Sequence, residues 1–139
     1  MKESQQRIHS AITNNGFSWP GYRVVINMAP ADIRKEGTAY DLPLALGILA
    51  ASGQMSGSLL ERYLVMGELS LDGTVLPVRG VLPMAMQAMK EGFGGLIVPA
   101  DNAGEAAVVG GIDVIPAKDL KQIIAFLNGT LMIEPHRVD

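Results

Sequence analysis

From Tyr63 to Leu127, apolar runs of strand length alternate with segments of helix length, and one Asp72-Gly73 pair interrupts them between two apolar-rich runs. Alternation of strand and helix calls for crossover connections, whereas an Asp-Gly pair flanked by apolar runs closes an antiparallel hairpin. A chain carrying both signals is an α/β protein with a mixed sheet, not an all-parallel one.

The segments follow from local pattern. Residues 2–14 read as a helix with Ile8, Ala11 and Ile12 on a narrow apolar face, Glu3 four residues before Arg7, and Asn14-Asn15-Gly16 as its stop. Ser18–Tyr22 reads as a turn and Arg23–Met28 as a β-branched strand ended by Ala29–Asp32. Leu42–Ser52 reads as a helix with Asp41 as N-cap, Pro43 in its first turn and Gly53 as its stop. It is apolar nearly all round, so it must be buried. Tyr63–Val78 reads as the hairpin, its Asp72-Gly73 turn being of type I′. Helices follow at Val81–Glu91, Asn102–Val109 and Lys118–Leu127, separated by strands at Gly94–Pro99 and Ile112–Pro116. The tail after Asn128-Gly129 shows no packing pattern.

At 139 residues, with 48% hydrophobic residues, the chain is long enough for one core. No run approaches the roughly 18 apolar residues of a membrane span. The polar start, MKESQQRIHSAI, lacks a signal-peptide core, and the absence of cysteine fits a reducing compartment, so the expected location is the cytoplasm, without membrane contact. Eleven basic against fourteen acidic residues give a net charge of −3, and Arg34-Lys35 is the only adjacent basic pair. A nucleic-acid module usually carries a basic stripe, so direct DNA binding by the monomer is disfavoured.

Motifs for chemistry are sparse. No Gly-x-x-x-x-Gly-Lys-Ser/Thr occurs, and the glycines at 92–95 and 110–111 read as turns. His9 and His136 lie at opposite ends of the sequence and make no metal or catalytic pair. Met84, Met86 and Met89 share one helix and read as core packing or a subunit contact. The carboxylates of Glu36, Asp41, Glu68 and Asp72 are spread over loops and turns, Asp41 reading as a cap and Asp72 as a turn residue. Trp19 reads as a lid over the first helix, with a partner contact as the alternative.

Taken in order, KESQQRIHSAITNNGFSWP, VVINMAPADIRKEGTAYDLPLALGILAASG, MGELSLDGTVLPVRGVLPMAMQAMKEGF and LIVPADNAGEA resemble the N-terminal domain of ComM-type magnesium-chelatase-like AAA+ proteins. The resemblance spans residues 2–128. It extends, more distantly, to the proteolytic domain of Lon and the C-terminal domain of RadA, and implies their fold, which is related to the second domain of a small-subunit ribosomal protein. Members of the family carry further strands before this stretch and an AAA+ ATPase module after it. The sequence thus resembles an excised piece, with a sheet edge left open and residues 129–139 as a linker toward the ATPase module.

Lon-type peptidases use a serine nucleophile and a desolvated lysine of lowered pKa. The resemblance lays KEGTAYDLP on the serine loop, with Gly37 on its glycine, Thr38 before the serine and Ala39 on the serine itself. It lays LDGTVLPVRGVLP on the lysine segment, with Gly80 before the helix and Leu82 on the lysine. Neither a methyl nor an isobutyl group can attack a carbonyl or take a proton. The resemblance therefore implies a non-catalytic accessory or oligomerisation domain of an ATP-driven DNA helicase or branch-migration factor. No cofactor or metal is expected in this stretch, ATP and Mg belonging to the parent. The expected partners are the AAA+ module, further copies in a ring, and DNA through the assembled parent. Arg23, Arg34, Lys35 and Arg79 are the candidate DNA or subunit contacts. The alternatives are a degenerate Ser/Lys hydrolase, for instance through Thr38 and Lys35, and a DNA-binding module acting alone.

Overall fold

The computed structural model of the chain describes residues 2–19 and 38–136. The strand read at Arg23–Met28, its end at Ala29–Asp32, and most of the turn before it lie outside the described residues, as do Arg34, Lys35 and Gly37. The elements in chain order are α1 (Lys2–Asn14), α2 (Asp41–Ala51), β1 (Tyr63–Val65), β2 (Glu68–Leu69), β3 (Val75–Leu76), α3 (Val81–Lys90), β4 (Gly95–Pro99), α4 (Ala103–Ala107), β5 (Asp113–Ala117) and α5 (Leu120–Leu127). Short 3₁₀ turns precede α2, β1 and α4.

The described strands form two sheets. β1, β4 and β5 pair in parallel in the order β1-β4-β5, with Leu64 opposite Leu96 and Ile97 opposite Ile115. β2 and β3 form a separate antiparallel pair. The mixture of pairing modes expected from sequence is thus divided between sheets. Side chains of the parallel sheet alternate between two cores, as a strand's period of two requires. Val65, Ile97 and Ile115 join the cluster built by α1, α2, α5 and the hairpin. Met66, Leu96, Val98 and Val114 join a second cluster built by α3 and α4. A parallel sheet covered on both faces explains why β4 is buried at every position.

Helix ends follow a shared device. At the end of α1, Phe17 N–H donates to the Ile12 carbonyl (3.1 Å) and Gly16 N–H to the Thr13 carbonyl (3.2 Å), the bond pair of a Schellman loop. The same pair closes α2 at Gly53-Gln54, α3 at Gly92-Phe93 and α5 at Gly129-Thr130. Trp19 is half-buried against the first core, its ring 4.9 Å from that of His9 on α1, which is the lid position.

Three local expectations are corrected. Tyr63–Val65 does not belong to the hairpin. Met66 N–H still bonds the Ile97 carbonyl at 2.9 Å, in line with the parallel ladder, and only at Gly67 does the chain change partner. The turn is not type I′, because among the described residues positive φ is confined to glycines, and Asp72 is not one of them. Instead Ser70 N–H bonds the Thr74 carbonyl and Gly73 N–H bonds the Ser70 carbonyl, both at 3.0 Å. That is a three-residue loop with Gly73 (φ 95°) in the left-handed position. A Cβ at Gly73 would also collide with the Asn15 side-chain amide. Third, the tail does pack: Ile133 lies against the first core and His136 N–H bonds the Val114 carbonyl of β5 at 2.7 Å.

Candidate functional site

Two loops carry the positions singled out by sequence, and both border the core between the parallel sheet and α3. Residues 38–40 form a single 3₁₀ turn that runs directly into α2. Ala39 is half-buried and packs against the cluster that contains Met66, Val81, Ala85 and Val98. Val81 is the first residue of α3 and fully buried in the same cluster. The Ala39 turn and the head of α3 therefore both pack against the same apolar cluster. Leu82, next along α3, is half-buried, and its N–H donates to the Glu105 carboxylate at 3.3 Å. That carboxylate sits where a helix N-terminus favours negative charge. Gly80, the N-cap, offers no side chain of its own for this purpose.

The Ala39 turn is fixed by backbone bonds to the exit of β1. Gly67 N–H donates to the Ala39 carbonyl at 2.8 Å, and Leu42 N–H donates to the Gly67 carbonyl at 2.9 Å. This reciprocal pair needs close approach. A Cβ on Gly67 would lie 3.0 Å from Val75 Cγ1 and 3.2 Å from Leu42 Cβ, so the bare backbone makes the contact possible.

Asp41 does not cap α2, contrary to its reading from sequence. Tyr40 is the N-cap residue and makes no side-chain cap bond. Asp41 lies inside the first turn, its side chain 1% exposed. Its carboxylate accepts from Arg7 Nε (2.9 Å, on Oδ2) and Arg7 Nη2 (3.1 Å, on Oδ1). Oδ2 also accepts from Leu69 N–H at 3.1 Å. A two-pronged guanidinium and a strand amide outbid the helix's own N–H groups, because a buried carboxylate must have its charge matched. One side chain thereby ties α1, α2 and the hairpin together.

The second loop has its own clamp. Asn102, only 8% exposed, accepts from Val78 N–H at 2.9 Å and donates to the Val78 carbonyl at 3.0 Å. The side-chain amide thus copies a strand neighbour and holds the segment that leads to Gly80. Sequence reading missed Arg7 and Asn102 in these roles. Arg7 matched a local helix pair and Asn102 a helix start, and neither pattern announces a partner 34 or 24 residues away.

Of the basic candidates, Arg79 is exposed just before α3, while Arg23, Arg34 and Lys35 lie outside the described residues. The hydrolase pair Thr38 and Lys35 lies there too as far as side chains are concerned. His9 and His136 have separate surroundings: the His9 ring packs at a tilt against Trp19, and the His136 backbone is bonded to β5. Among the described residues, no three His, Cys, Asp or Glu side chains converge in a metal-binding group, and no helix is long and apolar enough to cross a membrane.

Comparison with known proteins bears on this geometry. Residues 1–102 match the family described as subunit ChlI of Mg-chelatase. An uncharacterised protein of Mycobacterium tuberculosis is 44% identical over 130 residues, covering 94% of this chain and 26% of that protein. Competence protein ComM of Haemophilus influenzae is 42% identical over 129 residues, 93% of this chain and 25% of its own. More distantly, Lon protease 2 of Bacillus subtilis is 27% identical over 127 residues, 88% of this chain and 22% of its own. The chain thus spans about a quarter of the length of these relatives.

Proposed function

The chain belongs to the family of subunit ChlI of Mg-chelatase, and on that premise we propose that it is a non-catalytic accessory domain of a larger AAA+ protein that works on DNA. Likeness to the competence protein ComM supports a role in the handling of DNA during transformation or recombination. In this reading the ATP and Mg²⁺ chemistry belongs to a separate ATPase module. The domain contributes to assembly of a ring of subunits, and DNA is held by the assembled ring. Exposed Arg79, with Arg23, Arg34 and Lys35, supplies the basic groups for DNA or for a neighbouring subunit.

The observation that carries the reading is the chemistry of two positions. Residue 39, which the Lon likeness lays on the nucleophile, is an alanine packed into an apolar cluster, and residue 82, laid on the lysine, is leucine. A serine-lysine mechanism needs a hydroxyl whose proton passes to a nearby amine. Hydrocarbon at both positions leaves the turn as a scaffold that seats α2 and α3.

The test is direct. The purified chain is expected to take up no fluorophosphonate label and to leave casein intact. Labelling or cleavage that vanishes in Thr38→Ala would overturn the reading in favour of a degenerate hydrolase. Tight binding of single-stranded DNA by the monomer at physiological salt would overturn it in favour of an autonomous DNA-binding module.

A further inference from the structure

The sequence holds two Asn-Gly pairs, Asn15-Gly16 and Asn128-Gly129, and each closes a helix. This dipeptide is prone to modify itself, because glycine has no side chain to shield its own nitrogen. That nitrogen attacks the asparagine Cγ and gives up its proton, a new C–N bond forms, and the side-chain nitrogen departs as ammonia. Water then opens the succinimide ring to aspartate or to isoaspartate. The net change is asparagine plus water to an aspartyl residue plus ammonia, and no further reagent is needed.

The fold treats the two pairs differently. At Asn15 the nitrogen that must leave is held twice, Nδ2 donating to the Ala11 carbonyl at 2.7 Å and to the Asp72 carbonyl at 3.1 Å. The residue is half-buried, and its amide lies against Gly73. A carboxylate in its place would face two carbonyl oxygens with no proton to offer them. At Asn128 the bonding is reversed. Oδ1 accepts from Ser56 N–H at 2.7 Å, and among the described residues nothing accepts from Nδ2. A donor on that oxygen stabilises the negative charge it gains as the ring closes, and a product carboxylate can keep the same bond. Asn128 and Gly129 are also exposed.

In both pairs the glycine N–H is engaged, Gly16 donating to the Thr13 carbonyl at 3.2 Å and Gly129 to the Phe126 carbonyl at 3.1 Å. Attack therefore waits on local opening. At Gly129 that means fraying the exposed last turn of α5. At Gly16 it also means breaking the bonds by which Asn15 ties α1 to the hairpin. Exposed ends open at the lowest cost.

We propose that Asn128-Gly129 is a site of spontaneous deamidation at the junction of α5 and the tail, that the fold shields Asn15-Gly16 from the same reaction, and that the isoaspartyl product loosens the tail. Isoaspartate adds a methylene to the backbone. It does so just where Gly129 N–H and Thr130 N–H must reach the Phe126 and Ala125 carbonyls, at 3.1 and 2.9 Å. The segment that follows is the one whose Ile133 packs on the first core and whose His136 N–H is bonded to β5.

The unmutated 139-residue chain suffices for the test. It is incubated in mildly alkaline buffer, folded and in urea, and peptide mass spectrometry follows each asparagine. In the folded chain Asn128 should convert at least about tenfold faster than Asn15, whereas in urea the two rates should draw together. Asn128→Gln, whose ring closure needs the larger glutarimide, should lose the signal at 128 and leave Asn15 as it was. The isoaspartyl form, separated by chromatography, should exchange its His136 amide hydrogen faster than fresh protein does. Equal rates at the two positions in the folded chain, a faster Asn15, or conversion of both in urea alone would each overturn the proposed site. Exchange at His136 as slow in the isoaspartyl form as in fresh protein would overturn its link to the tail.

Discussion

Asp41 carries the heaviest structural duty of any single residue described. Its carboxylate is fully enclosed and bonded by two Arg7 nitrogens and the Leu69 amide. Asp41→Asn should cost about 3 kcal/mol in urea unfolding, because a buried pair broken from one side leaves the other charge uncompensated. Arg7→Lys should cost less but not recover the wild-type value, since an ammonium cannot make the two-pronged contact. Asp72 gives a prediction in pH. The Ser70 hydroxyl, then the Thr74 N–H, bond its carboxylate and bring its pKa from 3.8 down to about 2. The ionised form therefore favours the folded loop. That contribution is whole above about pH 4 and is lost as pH falls toward 2. Carboxyl carbon shifts in NMR should titrate near 2, and Ser70→Ala should move the midpoint up toward 3.8.

At the scale of elements, most of what was legible came from punctuation. Gly16, Gly53, Gly92 and Gly129 mark helix ends correctly because each supplies the backbone for the same closing bond pair. The start of α5 is a second case. Asp119 is its N-cap, in extended geometry, and accepts from Gln122 N–H at 2.8 Å, while the Gln122 side chain accepts from Lys118 N–H. The helix thus begins at Leu120, two residues later than its apolar pattern suggests. Asp119→Ala should destabilise the protein by about 1 kcal/mol and fray the first turn, which hydrogen exchange at Gln122 would register. Strand length was harder to read. Tyr63–Val78 carries one continuous pattern, yet Tyr63–Val65 pairs with β4, because the ladder partner of an apolar run is fixed by distant residues.

At the scale of the whole molecule, the parallel sheet divides the interior in two. Ile97 faces the α1–α2–α5 side and Leu96, its neighbour, the α3–α4 side. Ile97→Val should cost about 1 kcal/mol and Leu96→Ala about 3, as deletions in packed cores do. The side chains point into separate clusters, so the double variant should show the sum within about 0.5 kcal/mol in denaturant unfolding. A larger deviation would mean that the sheet transmits strain between its faces. The same division shapes the candidate site. The Ala39 turn and the head of α3 belong to different sequence motifs, 42 positions apart between Ala39 and Val81, and are related in the fold because both pack against the second core.

Sequence alone determined the α/β class, the helix stops, the burial of α2 and the hydrocarbon at residues 39 and 82, since each depends on local pattern or on side-chain identity. Tertiary structure decided which strands pair, where the Asp41 carboxylate goes, how Asn102 holds the loop before α3, and which methionines face outward. Those choices turn on contacts between residues far apart in the chain, where the energy of matching a buried charge or filling a core outweighs any preference of the segment by itself.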